Sequence, residues 1–239
     1  MGMPISIEIV GSTASKDLFD LVYDYFTYVD NTYSTYKSDS EISRINRGLP
    51  RQQWSAEMKE VLAMCEKTKE ETGGYFNIEH SGQLDPSGLV KGWAIQQAAE
   101  LLYKRGVKDF YIEAGGDIQV RGHNAQSKPW QVGIRNPFRR QEVIKTIQIH
   151  TEGVATSGTY IRGQHIYNPH HPDSPITDIA SLTVIGPNIY EADRFATAAY
   201  AMGKKGIVFI ENLKGFEAYM VDNHKQATLT SGFERYLAT

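Results

Sequence analysis

The sequence predicts an α+β fold in which helices come mostly first and strands later, with N-terminal helices packed on a mixed or antiparallel sheet. Three observations carry that expectation. Apolar residues recur at helical spacing through most of the chain before Gly106, and short strand-like runs separated by turn residues dominate after it. No internal repeat, low-complexity tract or linker divides the two regions, so residues 1–239 read as one domain. At 239 residues and 41% hydrophobic content, the chain is long enough to bury a sizeable core.

Each element has a local reason. The opening ISIEIVG alternates apolar and polar residues and predicts a strand over residues 4–11. Leu18, Val22, Tyr25, Phe26 and Val29 share one face of a helix that starts near Ser15 and breaks near residues 31–34. The polar segment TYKSDSEISRIN then enters a short helix. Ser55 is placed to cap a further helix with Met58, Val61, Leu62 and Cys65 on one face, ended by Gly73 and Gly74. Another helix is expected over residues 90–105, burying Ala94, Ala98, Leu101 and Leu102 and ending at Gly106. Beyond it, DFYIEA, DIQVRG, WQVGIR, VIKTIQIH, GVATSG and ASLTVIG read as strands. A helix over residues 190–202, another near 204–212, and a hairpin of GFEAYMVD with QATLT close the chain.

Composition excludes several functional classes. Twenty-eight acids against twenty-five bases give a net charge of −3, with no basic excess to grip a nucleic-acid backbone. No apolar run is long enough for a transmembrane helix. The start, MGMPISIEIVG, lacks a basic region followed by a long apolar stretch, so a cytoplasmic location is expected. The single cysteine, Cys65, excludes an internal disulfide framework and a cysteine-based zinc cluster.

Four clusters hold polar residues that core packing alone does not explain. In LDPSGLVKGWA, Ser87 and Gly88 precede the expected helix and Lys91 lies in its first turn. Free N–H groups at a helix start together with a cation suit an anionic ligand. From spacing alone the simpler reading is an ordinary helix capped by Asp85 or Ser87, with Lys91 in solvent. In EADRFATAAYAMG, Asp193 and Thr197 are four apart and share one helix face, an oxygen pair suited to a hard cation such as Mg²⁺. From spacing alone the simpler reading is again that Asp193 caps the helix and Thr197 bonds back to a carbonyl. The third cluster, GVATSGTYIRGQHIYNPHHPDSPIT, offers Ser157 and a candidate general base, His165. It lacks a G-x-S-x-G elbow, and His170 with His171 reads as a solvated turn. In EAGGDIQVRG the two glycines predict a tight turn that permits close backbone approach to a ligand, without a dinucleotide fingerprint. PWQVGIRNP follows with Trp130 as a core residue.

Taken in order, MGMPISI, STYKSDSEISRIN, TGGYFN, LDPSGLVKGWA, EAGGDIQVRG, PWQVGIRNP, VATSGTY, HIYNP and EADRFATAAYAMG resemble the ApbE-type FAD:protein FMN transferases, in a short variant. The resemblance runs from Met1 to about Gly203 and implies a T-fold-related α+β domain. It implies an enzyme that binds FAD and Mg²⁺, cleaves the pyrophosphate, releases AMP and attaches FMN by a phosphoester to a Ser or Thr of a client flavoprotein. It further implies that Asp193, Thr197 and the Gly88 carbonyl hold the metal. Met1, Tyr36, Tyr75, Phe76, Asn77, Asp85, Lys91 and Ile176 match positions that contact FAD. His165 matches the histidine that deprotonates the acceptor hydroxyl, with Asp193 the second residue on which catalysis depends.

Three departures from the family pattern stand out. Asn77 follows Phe76 where an aspartate is usual, the segment over residues 78–83 is very short, and Asn168 replaces an aspartate after the histidine. Two rival functions use the same residues: an FAD pyrophosphatase giving free FMN and AMP, and a non-catalytic FAD-binding protein.

Overall fold

Period-two alternation marks the edge of the sheet and continuous apolar runs mark its centre. The computed structural model describes residues 2–11, 14–158 and 166–238, apart from the Arg140 side chain. β1 (Ile5–Ile9) alternates half-buried isoleucines with exposed Ser6 and Glu8, as an edge strand does. It is followed by α1 (Lys16–Tyr33), α2 (Glu41–Asn46) and α3 (Ala56–Glu71). The Ser55 hydroxyl accepts the Met58 N–H at 3.1 Å, which is the cap expected from the sequence. A small hairpin of β2 (Glu79–His80) and β3 (Gln83–Leu84) leads into α4 (Ser87–Lys104).

The strands after Gly106 are β4 (Phe110–Ala114), β5 (Asp117–Arg121), β6 (Trp130–Asn136), β7 (Arg139–Ile149), β8 (Gly153–Gly158) and β9 (Ile179–Gly186). Then come α5 (Ile189–Ala201), α6 (Gly206–Glu211), β10 (Glu217–Asp222) and β11 (Ala227–Leu229). Seven strands form one sheet in the order β1-β4-β5-β8-β9-β10-β11, and every pair in it is antiparallel. β6 and β7 form a separate antiparallel ribbon. The fold class is therefore the α+β arrangement expected, with an antiparallel sheet.

Two hydrophobic cores flank the sheet. Phe110, Ile112, Leu182, Val184, Ala218 and Met220 pack under the helices. The intervening residues Ile185, Tyr219 and Val221, with Ile118 and Val120, pack against Trp130, Val132, Ile147 and Ile149 of the ribbon. β9 and β10 are buried on both faces, which is why their sequences run apolar without a clean alternation.

The sheet register gathers one end of the molecule into a site. Ala114 pairs with Asp117 across a hairpin whose linking residues, Gly115 and Gly116, have φ of +62° and +98°. Two left-handed residues in succession make the tight turn that right-twisted strands favour. This turn, the last residues of β8 and the first of β9 lie at the same end of the sheet. α4 and α5 pack on each other and on the strands beneath.

Candidate active site

α4 begins at Ser87, earlier than the spacing suggests, because Pro86 occupies the cap position and the Asp85 carboxylate accepts the Ser87 N–H at 3.0 Å. Gly88 therefore lies inside the first turn and Lys91 in the second. Lys91 is not in solvent. Its side chain is 17% exposed and pairs with the buried carboxylates of Asp117 and, at 3.3 Å, Asp193. Asp117 is anchored in turn by the Thr156 N–H at 3.1 Å, and Asp193 by the Gly92 N–H at 2.8 Å.

This three-residue cluster joins α4, β5 and α5. A methyl group on Gly92 would sit 2.6 Å from the Asp193 Cβ, so the two helices reach this separation because residue 92 has no side chain. Asn188, not Asp193, caps α5, accepting the Glu191 N–H at 2.9 Å. Burial pushes the Asp193 carboxyl well above the usual carboxylate range; Lys91 opposes that shift and the charge on Asp117 adds to it.

The Thr197 hydroxyl lies one helical turn from Asp193 and 3.5 Å from the Gly88 carbonyl, across helices and not back along its own. Carboxylate, hydroxyl and carbonyl oxygen together form the hard-donor set that a divalent cation of the Mg²⁺ class takes. Among the described residues no cluster of three His, Cys, Asp or Glu side chains is arranged to hold a metal.

Lys91 carries the cluster to the wall of a cleft of about 710 Å³, while Asp117 and Asp193 lie buried behind it and are not among its lining residues. Tyr75, Phe76, Asn77, Asp85, Gly88, Lys91 and Thr197 all line it. Thr156 and Ser157 of β8 contribute from the sheet, and residues 166–175 close the far side with Ile166, Tyr167, Pro169 and Pro175. The short segment after Asn77 forms the β2–β3 hairpin wall. It is held by the Asn46 amide, which bonds both the N–H and the carbonyl of Leu84, at 2.8 and 2.9 Å, as a strand partner would. The Tyr167 hydroxyl donates to the Glu79 carbonyl at 3.1 Å, and its ring lies 4.5 Å from His80.

Two expected ligand contacts stand elsewhere. Tyr36 is 98% exposed and its neighbour Thr35 lines the cleft instead. Ile176 is half-buried against the helical core, while Ser174 and Pro175 reach the cleft. Met1 and His165 lie outside the described residues. His170 and His171 lie exposed in a turn, as expected, and His170 is tethered there: its ring packs edge-on to Tyr75 at 4.5 Å and its Nε2 is 3.0 Å from the Gly73 carbonyl.

The member of this cluster that sequence reasoning missed is Asp117, which directly follows the Gly115-Gly116 turn and is buried against Lys91.

The ApbE family model matches residues 1–82 and 78–220. The chain belongs to the ApbE family. ApbE relatives include the FAD:protein FMN transferase of Klebsiella pneumoniae, 31% identical over 147 residues that cover 58% of this chain and 42% of that protein. That of Haemophilus influenzae is 28% identical over 169 residues, covering 65% of this chain and 49% of that protein. The matched region thus spans about half the length of these curated relatives or less. Among solved ApbE structures, the flavin transferase from Vibrio cholerae superposes with a TM-score of 0.86 at 22% identity, over 99% of this chain and 96% of that one. The ApbE protein from Thermotoga maritima gives 0.88 at 19% identity, over 100% and 97%. The α+β fold is therefore that of the ApbE structures, and no helix of the described residues is long and apolar enough to cross a membrane.

Proposed function

We propose that this chain, acting as one domain, is a FAD:protein FMN transferase that moves FMN from FAD to a Ser or Thr of a client flavoprotein and releases AMP. The observation that supports this reading most is the pairing of Lys91, which lines the cleft beside Gly88 and Thr197, with the buried Asp117 and Asp193, in a chain of the ApbE family. Asp193, Thr197 and the Gly88 carbonyl are of the chemistry that fits Mg²⁺. When bound there, the ion would neutralise charge on the pyrophosphate oxygens.

The rest follows from the chain's own groups. Lys91 holds Asp193 in one rotamer and offsets the charge of both carboxylates. The Gly92 N–H bonds one Asp193 oxygen and Lys91 pairs with the other, so the carboxylate is held in a fixed orientation. Tyr75 provides a ring face for a flavin or adenine, and Phe76 backs that wall of the cleft from the core. His165, matched through the resemblance, takes the proton from the acceptor hydroxyl. The acceptor oxygen then bonds to the FMN phosphorus, and the bond to AMP breaks with its electron pair leaving on AMP.

The test is to incubate the chain with FAD, Mg²⁺ and a flavoprotein bearing a Ser/Thr acceptor, then measure the acceptor's intact mass. An added FMN on the acceptor is expected, and Asp193→Ala should lower the transfer rate at least 100-fold. FMN appearing entirely free would replace transferase by pyrophosphatase. FAD retained intact in excess Mg²⁺ would leave a binding protein.

A further inference from the structure

We propose that Arg194 is a positioning residue that locks the cation-facing helix to the flavin-facing wall of the cleft, a role that rests on the transferase reading above. Arg194 follows Asp193 directly, so the helical rotation turns it away from the cleft and toward α3. Its side chain is only 6% exposed. Nε donates to Glu191 on the same helix at 2.8 Å. Nη1 crosses to α3, donating to the Glu71 carboxylate and to the Thr68 hydroxyl, the latter at 3.2 Å. The guanidinium also lies 3.9 Å from the centre of the Phe195 ring, which holds its plane.

From α3 the bonding continues into the cleft. The Thr72 hydroxyl donates to the Thr68 carbonyl at 2.7 Å and accepts the Phe76 N–H at 3.1 Å. Phe76 lines the cleft, and its ring lies 3.4 Å from the point where a Gly88 Cβ would stand. The Thr197 methyl lies 3.3 Å from that same point, on the helix that carries Arg194. Phe76 and Thr197 thus close on the same space over Gly88, and the Thr197 hydroxyl bonds the Gly88 carbonyl at 3.5 Å. Both walls of the cleft meet at Gly88, and Arg194 supplies the bridge between α5 and α3 behind them.

Stability alone does not account for an arginine here. A buried ion pair of this kind is commonly no more stable than well-packed apolar side chains of the same volume. What the guanidinium adds is direction, since its rigid fork bonds two acids and a hydroxyl at fixed angles. The outcome is that the helix presenting Asp193 and Thr197 cannot rotate without moving the turn that presents Tyr75 and Phe76.

The test compares wild type with Arg194→Met, Arg194→Lys, Thr72→Val and Thr72→Ser. Three quantities are measured below each variant's unfolding temperature: FAD affinity by flavin fluorescence, the Mg²⁺ concentration for half-maximal FMN transfer, and hydrogen exchange at the Phe76 amide. Arg194→Met is expected to weaken FAD binding and raise the Mg²⁺ requirement, each by about tenfold, and to speed Phe76 exchange. Arg194→Lys should fall between it and wild type. Thr72→Val, which cuts the path beyond Thr68, should weaken FAD binding and leave the Mg²⁺ requirement unchanged, and Thr72→Ser should restore wild-type affinity.

Wild-type affinity, Mg²⁺ requirement and Phe76 exchange in Arg194→Met would overturn the proposal, as would the same result in Arg194→Lys should the methionine variant fail to fold. A wild-type chain that binds FAD yet transfers no FMN would defeat the transferase reading, while affinity and exchange would still decide the role of Arg194.

Discussion

Lys91 shows how a single side chain acquires meaning from residues far away in sequence. Alone in LDPSGLVKGWA it reads as a solvated lysine, because nothing nearby explains a buried cation. In the fold, Asp117 comes from the start of β5 and Asp193 from α5, both almost fully buried. Removing the ammonium would leave two carboxylates facing each other out of water, and breaking a buried pair from one side costs far more than the pair itself contributes. Lys91→Met should therefore lower stability by about 3 kcal/mol at pH 7 in metal-free buffer, read from urea unfolding. A variant as stable as wild type would show that the two acids do not depend on the shared cation. That Asp193 and Thr197 share one helix face was legible from helical spacing, but spacing alone favoured a cap at Asp193, a position that Asn188 fills. Asp117 and Arg194 were not legible, since their roles are set by partners on other elements.

At the scale of elements, the sequence located the long helices and the strands after Gly106, missed the β2–β3 hairpin, and misplaced one boundary that matters. Pro86 and Asp85 start α4 at Ser87, which brings the Gly88 carbonyl into the first turn beside Thr197. The β10–β11 hairpin was legible too, and its turn is tied to the rest of the fold by charge. Asp222 accepts the His224 and Gln226 N–H groups at 2.8 and 2.9 Å and pairs with Lys204 at 2.8 Å. Asn223 bonds the Thr177 carbonyl, and the Lys204 N–H bonds Asp178, so this turn also anchors the segment that returns from the cleft. The Lys204 ammonium and these N–H groups hold the Asp222 carboxyl below its ordinary value of 3.8. A lowered folded-state pKa contributes stability that is complete above the unfolded value and lost as pH falls through the folded one. The difference in melting temperature between wild type and Asp222→Asn should thus be constant from pH 7 to 5 and shrink below roughly pH 4. A difference that persists unchanged at pH 3 would mean that the ionised form is not what holds the turn.

The whole molecule separates the support of the sheet from the chemistry at one of its ends. Alternate residues of β9 and β10 face a helical core that carries the cleft and a second core sealed by the β6–β7 ribbon. Sequence pattern revealed the strands of both but not which strands share a sheet, because register depends on pairings that span most of the chain. Trp130 is the test of that division. Its ring is buried in the ribbon core 5.6 Å from Tyr111, and its Nε1 donates to the Arg121 carbonyl at 3.0 Å. Trp130→Ala removes a large apolar side chain and leaves a cavity, at a cost of about 3–5 kcal/mol. Neither Tyr111 nor Arg121, nor any other residue of the ribbon core, lines the cleft among the described residues. The variant should therefore melt well below wild type while FAD affinity in the folded protein stays within about twofold, since residues so separated contribute almost independently. The opposite pattern is expected for Arg194→Met, where affinity and Mg²⁺ requirement change together. A tryptophan variant whose affinity fell as far as that of the arginine variant would show that the sheet transmits strain between its faces, and that the cleft is shaped by the whole fold and not by the contacts around it.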